Sequence, residues 1–187
     1  MKFFMALMLI SCSVFAKEQV NFSAEQLDNL NFAYQFGEQY NKDGTEKTYE
    51  NRYNDQGLGY IFAAMAWKES SGYEDPRKIS KKKKGHHAYG LFQNYLPTVR
   101  NRYKQMGHNL TDEQIINQLI IRHKSAEWSY IELNNWLKVH KGDLKRALAS
   151  YNGGYRWRKP EPMYYSQDVL RKAEYLKRNK ILSSPTE

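Results

Sequence analysis

Apolar residues at positions 58, 61, 62, 65 and 66 recur at the spacing of one helix face, which predicts an amphipathic helix over 58–69. Ser70-Ser71-Gly72 and Pro76 close it. Upstream, Phe22-Ser23-Ala24-Glu25-Gln26-Leu27 reads as a helix start: Ser23 can cap, Gln26 can complete a capping box, and Phe22 can staple onto Leu27. Leu27, Leu30 and Tyr34 continue that face. Residues 41–56 are polar, contain Asp43-Gly44 and predict a loop. Residues 77–95 read as irregular and basic, with Gly85 and Gly90. Thr111-Asp112-Glu113-Gln114 is a second capping box. It opens one long helix through Ile116, Leu119, Ile120 and His123, with Tyr130, Leu133 and Leu137 carrying the face onward. Asp143 can cap a short helix with Leu144, Ala147, Leu148 and Tyr151 on one side, and Gly153-Gly154 stops it. Pro162 suits the first turn of a last helix striped by Tyr165, Val169 and Leu176. No stretch alternates as a strand does. The expected class is therefore all-α, with at most a minor β element within 77–95.

Length and composition narrow the picture. A chain of 187 residues suits a single domain, and no repeat or membrane-length apolar run of about 18 residues is present. A net charge of +9 implies acidic company. Residues 1–16 read as a secretory signal: Lys2 is followed by an apolar run, and Val14-Phe15-Ala16 supplies the small-residue cleavage pattern. Leu9-Ile10-Ser11-Cys12 offers a competing reading as a lipobox with Cys12 lipidated, though the run before Cys12 is short for one, and cleavage after Ala16 is preferred. The exported chain then has no cysteine and no disulfide framework. The expected organisation is a signal over 1–16, an N-terminal helix and polar loop over 17–57, a catalytic domain over 58–178 and a tail over 179–187.

Glu69 is the residue on which function turns. It lies four residues after Met65, seven after Phe62 and eleven after Leu58, which puts it on the buried stripe at the C-terminal end of its helix. Desolvation and the negative end of the helix dipole both favour a protonated carboxyl there. A neutral carboxylic acid at a cleft edge is what general-acid chemistry needs. By pattern alone, an interfacial Glu whose head group reaches water is the more ordinary reading, since Glu at helix ends is common and mostly solvated.

The order of motifs after Glu69 adds to this. Glu69-Ser70-Ser71, then Pro76 and Ser80, then Ala88-Tyr89-Gly90-Leu91-Phe92-Gln93, then Ala147-Leu148-Ala149-Ser150-Tyr151-Asn152-Gly153-Gly154, then Glu161-Pro162-Met163-Tyr164-Tyr165 with Val169 stand in sequence. This succession resembles the soluble-type lytic transglycosylases, which have a lysozyme-like fold. The resemblance covers about residues 58–178. It implies that Glu69 is the catalytic acid and that Gln93 lines the cleft. It further implies that Ser80 contacts sugar near the cleavage point and that Tyr151 and Asn152 form the pair beside the acid. Glu161 and Tyr165 would support sugar binding. The chain departs from the family pattern where two extra residues separate Glu69 from Pro76 and about four lengthen the stretch from Ser80 to Gly90. Phe92 replaces the usual Met, His87 stands where Gly is frequent, and Pro162 replaces the usual Thr.

The mechanism implied by the resemblance uses one carboxylate. Glu69 would protonate the oxygen joining N-acetylmuramic acid to N-acetylglucosamine, and the muramyl N-acetyl group would stabilise the cation. Glu69 would then take the proton of the sugar's own C6 hydroxyl as a 1,6-anhydro ring closes, proximity replacing a second carboxylate. Glu74 and Asp75 lie near in sequence, with nothing marking either as a second catalyst. The expected partner is the glycan strand of peptidoglycan, met as a monomer, with no metal, organic cofactor or nucleic acid. His86 and His87 adjoin four lysines and make a poor metal site. Lys81, Lys82, Lys83 and Lys84 read either as a solvated loop or as a contact with an acidic wall or membrane surface. Two other readings stand beside this one: a hydrolytic lysozyme of the same fold, and a non-enzymatic basic binding protein gripping its partner through these lysines and residues 100–104.

Overall fold

The computed structural model describes residues 20–48, 57–73 and 87–182, and the described chain is predominantly helical. The expected signal with Cys12, Glu74, Asp75, Ser80, and Lys81, Lys82, Lys83 and Lys84 all lie outside the described residues. Among the described residues, no helix is long and apolar enough to cross a membrane.

Helix α1 (Ala24–Gly37) begins with the predicted capping box: Gln26 N donates to Ser23 Oγ at 3.2 Å, and Ser23 N donates to Gln26 Oε1 at 2.8 Å. Phe22 stands edge-on to Trp67, 4.9 Å between ring centroids. Helix α2 (Gly59–Ser70) has no side-chain cap of its own. Glu38 performs that task from the end of α1: its Oε1 accepts from Gly59 N at 3.1 Å, and its Oε2 accepts from Lys47 Nζ at 3.2 Å. A carboxylate at a helix N-terminus also complements the macrodipole. Leu58, Phe62 and Met65 are fully buried, so the predicted stripe is the core face.

The C-terminus of α2 is locked from outside. Ser71 takes a left-handed conformation with φ 59°, and Gly72 N donates back to Ala66 O at 3.3 Å. The carbonyls freed by the turn are then met by α1. Gln26 Nε2 donates to Ser71 O at 2.7 Å, and Asn29 Nδ2 donates to Gly72 O at 3.1 Å. Glu69 therefore sits one residue before the end of a helix whose last turn is fixed.

The minor β element is a hairpin in which β1 (Ala88–Tyr89) pairs antiparallel with β2 (Asn94–Tyr95), Ala88 opposite Tyr95 and Tyr89 opposite Asn94. Helix α3 (Leu96–Gln105) follows at once; the sequence reading did not anticipate it. Pro97 within its first turn suits a helix start, and Leu96 and Val99 are its buried residues. The expected long helix after Thr111 is two helices, α4 (Asp112–Leu119) and α5 (Arg122–Val139). Ile121 between them is extended, with φ −82° and ψ 118°. The break lets α4 fold back so that Ile115 and Leu119 are buried with Leu96, Val99 and Trp128. Helix α6 (Leu144–Gly153) is capped by Asp143 as predicted, a single 3-10 turn spans Gly154–Arg156, and α7 (Pro160–Arg178) closes the described chain.

Two apolar clusters result. The larger joins α1, α2, α6, α7 and one face of α5, with Phe62, Phe92, Leu133, Leu148 and Val169 among its buried members. The smaller is the α3–α4 cluster that ends on Trp128. Helix α5 belongs to both, and it spaces the two lobes.

A buried and a half-buried tyrosine give the large lobe a pH limit. Tyr34 is held edge-on to Tyr60 at 4.8 Å. Burial, then the Glu38 charge, push its hydroxyl from 10.0 up to about 12. Tyr130 stacks on Tyr40 at 3.8 Å and is likewise pushed up to about 12, by burial first and then by Tyr40. A raised folded-state value means this stability is intact below pH 10 and is lost as pH climbs through 12. Thermal melts followed by circular dichroism should therefore fall steeply between pH 10 and 12. A Tm that stays flat across that window would contradict the burial of these hydroxyls.

Candidate active site

Glu69 is half-buried and lines a cavity of about 610 Å³ at the junction of the two lobes. Tyr95, Thr98, Val99, Arg102 and Trp128 come to it from the small-lobe side, and Tyr151 and Asn152 from the large lobe. A volume of this size falls in the range of small-ligand sites.

Two phenols stand behind the carboxyl. Tyr151, in the last turn of α6, is held through its hydroxyl, which lies 3.0 Å from Ser129 Oγ and donates to Phe92 O at 3.3 Å. Ser129 Oγ in turn donates to Asn94 Oδ1 at 3.1 Å. Asn94 Nδ2 donates to Ser125 O and Ser125 Oγ, both at 2.9 Å, and Phe92 N donates to Ser125 Oγ at 3.1 Å. This buried relay ties the hairpin, α5 and α6 into one support, and each member is satisfied, which is when a buried network rigidifies. Tyr165 of α7 stacks behind Tyr151 with 6.2 Å between centroids. Its hydroxyl is buried with no hydrogen-bond partner of regular geometry among the described residues. Burial, and after it the Glu69 charge, raise the pKa of both phenols, Tyr165 well above its ordinary value. Both are neutral O–H groups beside Glu69 at any physiological pH.

Two glycines fix the local geometry. Gly90 has φ +78°, and a Cβ there would lie 1.9 Å from Leu119 O and 2.6 Å from Ser125 Oγ. The hairpin thus packs backbone to backbone against the end of α4. At the end of α6, a Cβ on Gly153 would meet Pro162 Cγ at 2.3 Å. Pro162 is buried, and it packs against that glycine. Gln93 lies between the hairpin strands in a left-handed conformation, φ 48°, uncommon for a residue with a side chain. Its backbone N–H and its Nε2 both donate to Gly90 O at 2.9 Å, and it lines the cavity.

The cavity also holds a second carboxylate. Glu132 of α5 accepts from Arg102 Nη2 at 3.2 Å on one oxygen and from Trp136 Nε1 at 2.7 Å on the other. Both oxygens are engaged. Arg156, from the 3-10 turn, also lines the cavity; its carbonyl accepts from Lys159 N at 2.9 Å, and its guanidinium has no hydrogen-bond or ion-pair partner among the described residues. Among the described residues, no three of His, Cys, Asp and Glu converge as metal ligands.

The structure brings Glu69, Gln93, Tyr151 and Asn152 to one cavity from three separated parts of the chain. Tyr165 is buried behind Tyr151 rather than on the cavity wall, and it meets Glu69 from within the core. Glu161 is exposed on the first turn of α7 and does not line the cavity. Ser80 lies outside the described residues. Sequence reasoning missed Asn94, Ser125, Ser129, Arg102, Glu132 and Arg156. Only α5 left a signal: Ser125, Ser129 and Glu132 are spaced by four and three, so they share a helix face that Trp128 and Leu133 flank.

The chain is 50% identical over 176 residues to a 20.7 kDa protein of Enterobacteria phage T4, described as an uncharacterized protein of the vs-regB intergenic region. The match covers 94% of this chain and 93% of that protein. No profile of a known family matches the chain, and no solved structure does.

Proposed function

The chain belongs to the family of this phage T4 protein, and we propose that it is a peptidoglycan lytic transglycosylase with a lysozyme-like fold and Glu69 as its single general acid and base. The observation that carries the reading is the convergence of Glu69, Gln93, Tyr151 and Asn152, three motifs far apart in sequence, on one inter-lobe cavity. Glu69 in its acid form gives a proton to the glycosidic oxygen between N-acetylmuramic acid and N-acetylglucosamine. The muramyl N-acetyl group supports the positive charge that develops at C1. The Glu69 carboxylate left behind accepts the proton of the muramyl C6 hydroxyl as that oxygen attacks C1. The enzyme returns to its starting form, and the product ends in a 1,6-anhydro ring.

The phenols suit both halves of this cycle. Tyr165 offers an otherwise unengaged buried O–H near Glu69, and Tyr151 is held by Ser129 and Phe92 at a fixed height in the cavity wall. Tyr165, whose O–H is given to no other group, would steady the carboxylate formed after the first proton transfer without adding a charge of its own. Reaching a cell wall requires export, which the signal-like residues 1–16 would supply.

A second reading, hydrolysis by a lysozyme of the same fold, is favoured by one observation: Glu132 shares the cavity. Hydrolytic glycosidases use a second carboxylate to activate water or to attack the sugar. Against that role, both Glu132 oxygens already accept hydrogen bonds from Arg102 and Trp136. Digestion of sacculi in ¹⁸O-labelled water followed by mass spectrometry separates the readings. Transglycosylation gives 1,6-anhydromuramic ends without label. Label in new reducing ends would assign water as the nucleophile and overturn transglycosylation. No released fragments at all would leave a basic binding protein.

A further inference from the structure

The chain that leaves α6 makes an unusual surface. Residues 155–159 read Tyr-Arg-Trp-Arg-Lys, two aromatics interleaved with three cations. Tyr155 is 86% exposed, the most exposed large apolar side chain among the described residues. It is not loose: its ring stands edge-on to Trp136, 5.2 Å between centroids, and Trp136 is itself buried and holds Glu132 within the cavity. Trp136 stacks on His140, His140 meets Trp157 edge-on at 5.3 Å, and the Arg158 guanidinium lies 4.2 Å over Trp157. An aromatic row thus runs outward from the cavity wall with Tyr155 showing its ring to solvent.

Of the four cations along this row, three have no acidic partner among the described residues. Arg146 is paired with Asp143 at 3.1 Å. Arg156, Arg158 and Lys159 have no ion-pair partner among the described residues. Arg102, the other guanidinium of the cavity, is occupied by Glu132. An aromatic face beside an unpaired guanidinium suits a ligand with an apolar ring face and a carboxylate, since guanidinium binds carboxylate through two parallel donors.

We propose that residues 155–158 form a subsite for a saccharide bearing a carboxylate, continuous with the cavity at Arg156. Tyr155 stacks on the sugar ring, and Arg156 with Arg158 grips the carboxylate of the sugar's substituent. This rests on the glycan-cleaving reading of the cavity and extends it: the site selects acid-bearing glycan over neutral polymer of the same backbone.

The test is binding, measured by titration calorimetry on the full chain carrying Glu69→Gln so that no turnover occurs. Two probes are compared: an uncharged oligomer of N-acetylglucosamine, and a short glycan alternating N-acetylglucosamine with N-acetylmuramic acid that carries its peptide carboxylates. The double substitution Arg156→Gln and Arg158→Gln should weaken the acidic probe about tenfold, the loss expected for a charge-assisted contact, and leave the neutral probe unchanged. Tyr155→Ala should weaken both. If the double variant binds both probes as its parent does, the subsite is wrong while the glycan reading survives. If the parent binds neither probe, the glycan reading fails and the subsite with it. If polyglutamate binds the parent as tightly as the acidic glycan, the row is a general anion surface and the proposal is overturned.

Discussion

Glu69→Gln should leave the chain folded and, on the proposed reaction, reduce clearing of peptidoglycan by the upper part of the roughly 10²–10⁴-fold range that a general acid commands. The upper part is expected because the same group would act twice in that cycle, donating to the leaving oxygen and then accepting from the C6 hydroxyl. Gln keeps the shape of the side chain and can still accept a hydrogen bond from a phenol, but it can neither give nor take the proton. The fold should tolerate it, since Glu69 is half-buried at a helix end fixed by Gln26 and Asn29 rather than by its own side chain. A thermal melt and a zymogram on one preparation decide the matter. A folded variant that clears the wall at its parent's rate would remove Glu69 from the mechanism.

Gly90→Ala should have the largest effect on stability of any Gly→Ala substitution among the described residues. The backbone at φ +78° disfavours a side chain, and the new carbon would stand 1.9 Å from Leu119 O, a rigid backbone atom. Strain in left-handed backbone costs about 1–3 kcal/mol, and the displaced hairpin adds to it, so a loss of roughly 3 kcal/mol or more is expected. Gly107→Ala is the control. It has φ +81° and open space around the new carbon, so it carries the strain alone. Urea unfolding midpoints should fall much further for Gly90→Ala than for Gly107→Ala. Equal midpoints would mean the contact with α4 yields without cost. Activity should fall as well, because the Gly90 carbonyl holds both the backbone and the side chain of Gln93.

Much of this architecture was written in local chemistry. The capping boxes at Ser23 and Thr111 form as their spacing requires, because both partners lie within one helical turn. The stripe through Leu58, Phe62 and Met65 is legible because a 3.6-residue period needs no knowledge of what packs against it. The failures are of another kind. Ile121 breaks the segment after Thr111, although an apolar residue there continues the helical pattern. What bends the chain is the burial of Ile115 and Leu119 in the small lobe, a tertiary demand with no local mark. Helix α3 was passed over for a related reason: Arg100, Arg102 and Lys104 dilute its apolar face, and two of these cations are matched only across space, Arg100 by Asp112 and Arg102 by Glu132. In the cavity, Glu69, Gln93, Tyr151 and Asn152 of the motifs come together, while Glu161 faces solvent and Tyr165 stands behind Tyr151. The residues that serve through the motifs, Asn94, Ser125 and Ser129, are small polar groups whose importance exists only once the hairpin lies against α5.

Helix α1 changes where the working unit begins. The resemblance starts at residue 58, but Gln26 and Asn29 close the backbone beyond Glu69, and Asp28 and Asn29 receive the Arg122 guanidinium at the head of α5, at 2.6 and 3.3 Å. The helix thus bridges the element bearing Glu69 and the element that spaces the lobes. A gene rearrangement that transplanted only the segment from 58 onward would carry every motif and leave the Ser71 and Gly72 carbonyls and the Arg122 charge without these partners. Inheritance of this site as a portable module requires the first helix to travel with it.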